Sequence, residues 1–399
     1  MSPQQEQARA EKFTSSEVFS QVLDTARQHS DDVDRQGRYP AEAMDALRSA
    51  GALGWGVPIA FGGAGAGIDE LSDATFELSR RCAATGMIFA MHQIQVASIA
   101  RHLRNSPWLE DYLRGLVRMP RLIASATSEV GVGGDIRKSI AALHPVDGTP
   151  EERFWFEKRA STISYGLQAD DYLTTVRRSP EADAGDQVLV LTHAEDTQLT
   201  QAGEWDTLGM RGTCSPGFLM RAACRPAQVV PVPFSTVAAE TMVPYSHILW
   251  AHVWLGVAAD AFARAQKFVR EQARGNSGGV PPPSALRLSE LSATMAQFRA
   301  LVRSALNEYK DHTENASRAA LSTIGYAVRI NNLKIAASEA AADVCQGALR
   351  VCGVLGYKNC GPYSVGRQLR DALSAALMIS NDRLYATNAA LLLVHREGK

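Results

Sequence analysis

The chain has 399 residues, of which 46% are hydrophobic and 21% charged, the balance of an ordinary globular protein with room for a sizeable core in two or three domain-sized units. A net charge of −1 gives no case for nucleic-acid or acidic-membrane binding. Six scattered cysteines without a CxxC pair fit neither a disulfide framework nor a metal site. With a polar start, MSPQQEQARAEKF, and no apolar run near the roughly 20 residues of a membrane span, the expected location is cytoplasmic.

Residues 16–104 read as helical, with Phe19, Val22, Leu23 and Ala26 at helix spacing. Tyr39-Pro40 opens a second helix that Gly51 closes. The glycine loop Phe61–Gly67 lacks the strand-loop-helix context of a nucleotide fingerprint and carries no weight. Ala83–Leu103 is a small-residue helix with His92 and Gln95 three apart on one face, either satisfied in the core or lining a pocket.

From Leu122 the pattern turns to short β-rich runs: Leu122–Thr127, Thr162–Tyr165, Tyr172–Val176, Val188–Thr192 and Phe218–Ala223. Turn residues such as Gly148–Pro150 separate them, and Pro226, Pro231 and Pro233 mark the way out. The stretch Ser125–Asp135, SATSEVGVGGD, follows the first run with hydroxyls at Ser125, Thr127 and Ser128 and glycines at 131, 133 and 134. Such glycines let the backbone approach a bulky ligand, and the hydroxyls can donate to its oxygens. That chemistry suits a flat, phosphate-bearing cofactor, although by itself it also describes a surface turn.

Helices return from Met242, over Ser246–Glu271, Ala285–His312 and Ser317–Leu349, with the proline-rich break Arg274–Ser284 between the first two. A loop-rich stretch, Cys352–Leu384, precedes a last helix to about His395. The expected fold is α+β: an N-terminal helical domain (1–121), a middle β-barrel-like domain that forms the cradle (122–233) and a C-terminal four-helix bundle (234–399). Clefts between such domains are favoured cofactor sites.

In this order the motifs resemble the acyl-CoA dehydrogenase superfamily of flavoproteins: SEVGVGGD at Ser128–Asp135, STISYGLQAD at Ser161–Asp170, LGMRGTCSPG at Leu208–Gly217, LKIAASEAA at Leu333–Ala341, GVLGY at Gly353–Tyr357 and RQLRDAL at Arg367–Leu373. The resemblance implies FAD, or FMN in the oxygen-using branch. It puts Thr127 and Ser128 at the flavin ring, Ser164 beside the reactive flavin nitrogen, and Gly134 where the family has a phosphate-contacting serine. It also implies that Arg274 reaches a neighbouring subunit's diphosphate, that Arg350 and Gly353 lie in the glycine motif, and that the protein is a homotetramer. No metal is implied. The family's usual base, a glutamate, falls here on Ile379, and its alternative position falls on Ser246; neither can act as a carboxylate. Asp382 is the candidate for a displaced base, and His92 the candidate for an oxygenase-type residue near the flavin. Three functions stay open: α,β-desaturation of an acyl thioester, carried by coenzyme A or a carrier protein, with electrons passing to an acceptor flavoprotein; a flavin-dependent monooxygenase using oxygen; or a flavin-binding protein without catalysis.

Overall fold

The computed structural model describes residues 13–146, 152–275, 281–314 and 318–395. The Gly148–Pro150 turn, most of the N-terminal leader, the centre of the proline-rich break and Ser317 lie outside them.

The N-terminal part is helical, with α1 (Glu17–Gln36), α2 (Ala41–Ser49), α3 (Ile68–Ser79), α4 (Ala83–His102) and α5 (Pro107–Arg118) among the described residues. Local chemistry sets their ends. Ser16 caps α1 by accepting from the Phe19 N–H, and Gly37 closes it at φ +61°, where a side chain would be strained. Ser106 with Pro107 starts α5.

Among the described residues seven strands follow: β1 (Ile123–Ala126), β2 (His144–Pro145), β3 (Phe154–Ala160), β4 (Asp171–Arg177), β5 (Gln187–His193), β6 (Thr197–Ala202) and β7 (Gly217–Cys224). They form two sheets, one ordered β1-β4-β5 and one ordered β2-β3-β7-β6. β1 pairs parallel with β4, Ile123 facing Asp171, and the remaining ladders are antiparallel. Isolated bridges from Ala142 to Arg177 and from Val190 to Val229 fasten flanking loops to β4 and β5, and the two sheets are broadly consistent with the barrel-like middle part expected, without closing into one barrel among the described strands. Thr162–Tyr165 is a turn, not a strand. The Tyr165 N–H donates to Thr213 O at 2.8 Å, and Tyr165 takes φ +45°, which ends the pleat after β3.

The C-terminal part begins with the single turn α6 (Phe234–Val237) and a π-helical turn, Ala238–Met242, leading into α7 (Val243–Gly275). Pro244 has no N–H to give the carbonyl four residues back, Glu240 O, and the Tyr309 hydroxyl donates to it instead at 3.0 Å. α8 (Ser284–Glu314) and α9 (Ile324–Cys352) pack with α7, and the short α10 (Val354–Tyr357) and α11 (Gly366–Leu373) lead to α12 (Asn381–Leu392) against α9. α3 and α4 also pack on α7, so one continuous core runs through all three parts. No described helix is long and apolar enough to cross a membrane.

Candidate functional site: a cavity between three layers

A cavity of about 1080 Å³ opens where α4, the sheet domain and the C-terminal helices meet. α4 presents Met87, Met91, Ile94 and Gln95; the sheet domain presents Ser125, Thr127, Ser128 and Ser164; the C-terminal part presents Ser246, His247, Trp250, Tyr326 and the 373–380 loop. Its size matches or exceeds pockets that hold one drug-sized molecule.

The hydroxyls are fixed by short-range bonds. Ser128 Oγ donates to Thr162 O at 2.8 Å and accepts from the Thr162 N–H at 3.2 Å, tying the loop after β1 to the turn after β3. Ser164 Oγ lies 2.9 Å from Ser215 Oγ, which in turn lies 2.9 Å from Thr213 Oγ1. Thr127, Ser128, Gly134 and Ser164 thus stand on one wall. Gly134 takes φ +72°, and a Cβ there would run into the Arg383 guanidinium, which donates to Gly134 O. Arg383, on the first turn of α12, is on the cavity wall, and no motif in the sequence points to it.

The two carboxylates on the wall are both engaged. Glu129 is buried and accepts from Ser139 Oγ at 2.7 Å and the Ala141 N–H at 2.8 Å, with Lys158 Nζ 3.4 Å away. Burial pulls the Lys158 ammonium down to about 8, with Glu129 opposing that fall. Asp135 is paired with Arg137 at 2.8 Å, which holds its carboxyl below the usual range. Ile379 and Ser246, where the family's base would stand, both line the cavity, so no free carboxylate faces it among the described residues.

Two proposed catalytic residues do not join this wall. His92 is wholly buried, with Nε2 2.8 Å from Leu53 O and Nδ1 accepting from the Ile123 N–H at 3.1 Å. Both nitrogens are therefore spent on the backbone, the neutral tautomer is fixed, and burial pushes the ring down to about 4. His92 bolts α4 to the start of β1, and the cavity face of that helix is carried by Met87, Met91, Ile94 and Gln95. Asp382 is exposed beside α12's N-terminus, away from the cavity wall, where a carboxylate favours the helix dipole. Arg274, Arg350 and Gly353 are exposed and equally absent from it. Asp371 acts within the fold: it accepts from the Met210 N–H at 2.7 Å and so fixes the 208–217 loop, while burial raises its carboxyl to about 6.

The architecture is a helical layer, a sheet layer and a helical bundle enclosing a cavity lined by hydroxyls, the organisation of an acyl-CoA dehydrogenase-like protein. Two family profiles match, the acyl-CoA dehydrogenase N-terminal domain over residues 8–119 and the C-terminal domain over residues 236–378, and the chain belongs to this family. Among curated relatives, it is 23% identical over 354 residues to the "Probable FMNH2-dependent monooxygenase SfnC" of Pseudomonas putida, covering 84% of this chain and 83% of that one. It is 24% identical over 348 residues to a cyclohex-1-ene-1-carbonyl-CoA dehydrogenase of Syntrophus aciditrophicus, covering 86% and 79%. The FMN-bound crystal structure of TdsC from Paenibacillus sp. A11-2 superposes with a TM-score of 0.80 at 20% identity, over 95% of this chain and 97% of that one.

Proposed function

We propose that this chain is a flavin-dependent monooxygenase built on the acyl-CoA dehydrogenase fold. The observation that carries the reading is that, among the described residues, the cavity has no free carboxylate: Ile379 and Ser246 occupy the base positions, and Glu129 and Asp135 are held by cationic partners. Desaturation of an acyl thioester requires an α-proton acceptor, whose removal costs about 10²–10⁴-fold; oxygen transfer does not. The relatives include both kinds of enzyme, so the choice rests on this wall.

The residues fit a flavin. Thr127, Ser128 and Ser164 offer hydroxyls on one wall, and Gly131, Gly133 and Gly134 at positive φ open their loop to close approach. Arg383 stands beside Gly134 and supplies a cation where the family's serine hydroxyl is missing. The other arginines on the wall, Arg137 and Arg370, are held by Asp135 and Asp34, so one fork is left for a phosphate, which favours FMN over FAD. When bound, the reduced flavin supplies two electrons, so that one atom of O2 enters the substrate and the other leaves as water. The chain's own part is to hold the ring by Ser128 and Ser164 and to exclude bulk water with Met91, Phe234, Met242 and Trp250. Arg274, which the family resemblance sets against a neighbouring subunit's diphosphate, has no such group to meet in FMN; a homotetramer is part of this proposal by that resemblance.

The purified protein should be yellow or take up FMN. Photoreduced under argon and then mixed with air, it should reoxidise and oxygenate a bound substrate. A panel of acyl-CoAs added anaerobically to the oxidised form should leave the flavin absorbance unchanged; bleaching there would establish the dehydrogenase instead.

A further inference from the structure

His247 sits on the first turns of α7, one residue beyond Ser246, and is 3% exposed. Its Nδ1 lies 3.1 Å from Ile330 O. A carbonyl can only accept, so Nδ1 carries the hydrogen and Nε2 carries the lone pair. Nε2 makes no hydrogen bond among the described residues. It is also not sealed off as Gln95 Oε1, Trp250 Nε1 and Tyr326 Oη are, so it keeps its access to the cavity that His247 lines. Burial pushes the imidazole down to about 4, with the Lys334 charge adding to the effect. At neutral pH it is an uncharged acceptor and too weak a base to take a carbon-bound proton.

Its surroundings are uncharged and mostly apolar, with Gln95, Ser246 and Asn331 among the polar side chains on the surrounding helices. The Trp250 ring is centred 6.0 Å away, and Met87, Met91, Met242 and Ile330 continue the wall. α4, the π-helical turn, α7 and α9 place no Asp, Glu, Lys or Arg on the cavity. A charged substrate would lose its hydration there without a partner. A neutral ring without a donor would leave Nε2 unpaired. We infer that His247 Nε2 is the acceptor that selects the substrate, and that the substrate is an uncharged, largely apolar ring compound presenting one N–H or O–H donor. The inference rests on the monooxygenase reading of this cavity and names the substrate class for it.

Indole, 1-methylindole and benzofuran test it, since they are close in shape and only the first has a donor. Calorimetric titration of the protein as purified, with and without added FMN, should show indole binding about five- to tenfold tighter than the other two, as one net hydrogen bond provides. His247→Phe should bring that ratio to about one with the flavin spectrum and circular dichroism unchanged. Equal binding of the three by the wild type, no binding at millimolar concentration, or a ratio retained in the variant would overturn the inference. The wild-type series alone decides if the variant misfolds. Failure of the protein to take up flavin would overturn the cofactor reading, and the ratio on the same flavin-free sample would still decide the role of His247.

Discussion

Asp171 opens β4 with no exposed side-chain surface, yet it is the most heavily bonded carboxylate of the sheet domain. It accepts from Tyr112 Oη at 2.8 Å, from Arg121 Nε and Nη2 at 2.7 Å, and from His193 Nδ1 at 2.6 Å. Burial works against its charge, but the His193, Arg121 and Tyr112 bonds outweigh it and hold the carboxyl below the usual range. The same bond to Asp171 raises His193 above its ordinary value, with burial opposing. The signs differ for the two partners. The His193 contribution is complete below the unfolded histidine value, about 6.5, and is lost as pH rises through the raised folded one. The Asp171 contribution is complete above about 4 and is lost as pH falls through the depressed folded one. Thermal unfolding should therefore show this junction at its firmest between about pH 4 and 6.5. Asp171→Ala should cost about 1–3 kcal/mol, because the buried Tyr112 hydroxyl would lose its acceptor and Arg121 its carboxylate. A variant with the wild-type melting temperature and pH profile would rule this account out.

At the scale of elements, the glycine loop after β1 and the first turn of α12 make one unit. Arg383 reaches Gly134 O only because position 134 lacks a Cβ, and φ +72° there costs a residue with a side chain about 1–2 kcal/mol besides. If the guanidinium serves a phosphate, Arg383→Gln should weaken FMN binding by about 10- to 100-fold, the range of a charged hydrogen bond, and leave riboflavin binding nearly unchanged. Fluorescence titration with both flavins reads this directly; equal losses for the two would mean that Arg383 only shapes the loop. The loop itself was legible in the sequence, since its glycines and hydroxyls are local signals. Arg383 was not, because its partner lies 249 residues away and no spacing encodes that contact. The strands divide in the same way. β4 and β5, buried along almost their whole length, announce themselves as runs rich in β-branched and apolar residues. β3 hides behind Glu157, Lys158 and Arg159, of which Lys158 is buried with its ammonium on Thr175 O at 2.7 Å. β6, TQLTQA, is a largely exposed edge strand with no apolar run to betray it. His92 stands off the cavity wall for a related reason. Helical period places it 60° from Gln95, yet that angle separates a ring bonded to Leu53 O and Ile123 N from an amide on the cavity wall.

In the whole molecule the cavity has no domain of its own. Its walls come from α4, the sheet turns and the C-terminal helices, which are joined elsewhere by Asp371 to Met210 N, by Arg370 to Asp34, and by Lys310 to Asp69 at 2.8 Å. The order helix, sheet, helix could be read along the sequence because each part keeps its own periodicity. The cavity's apolar end could not, because Met91, Trp250 and Tyr326 converge only after α4, α7 and α9 pack. A ligand that touches all three parts must stabilise them together. FMN at a hundred times its dissociation constant should therefore add about 2.7 kcal/mol and raise the melting temperature in a single transition that moves the near-ultraviolet and far-ultraviolet signals alike. Ser128→Ala and Ser164→Ala should each shrink that rise, since both hydroxyls stand on the wall proposed for the ring. Two separate transitions, with only the sheet-rich one shifted by FMN, would place the flavin on the sheet domain alone and remove the helical layers from its binding.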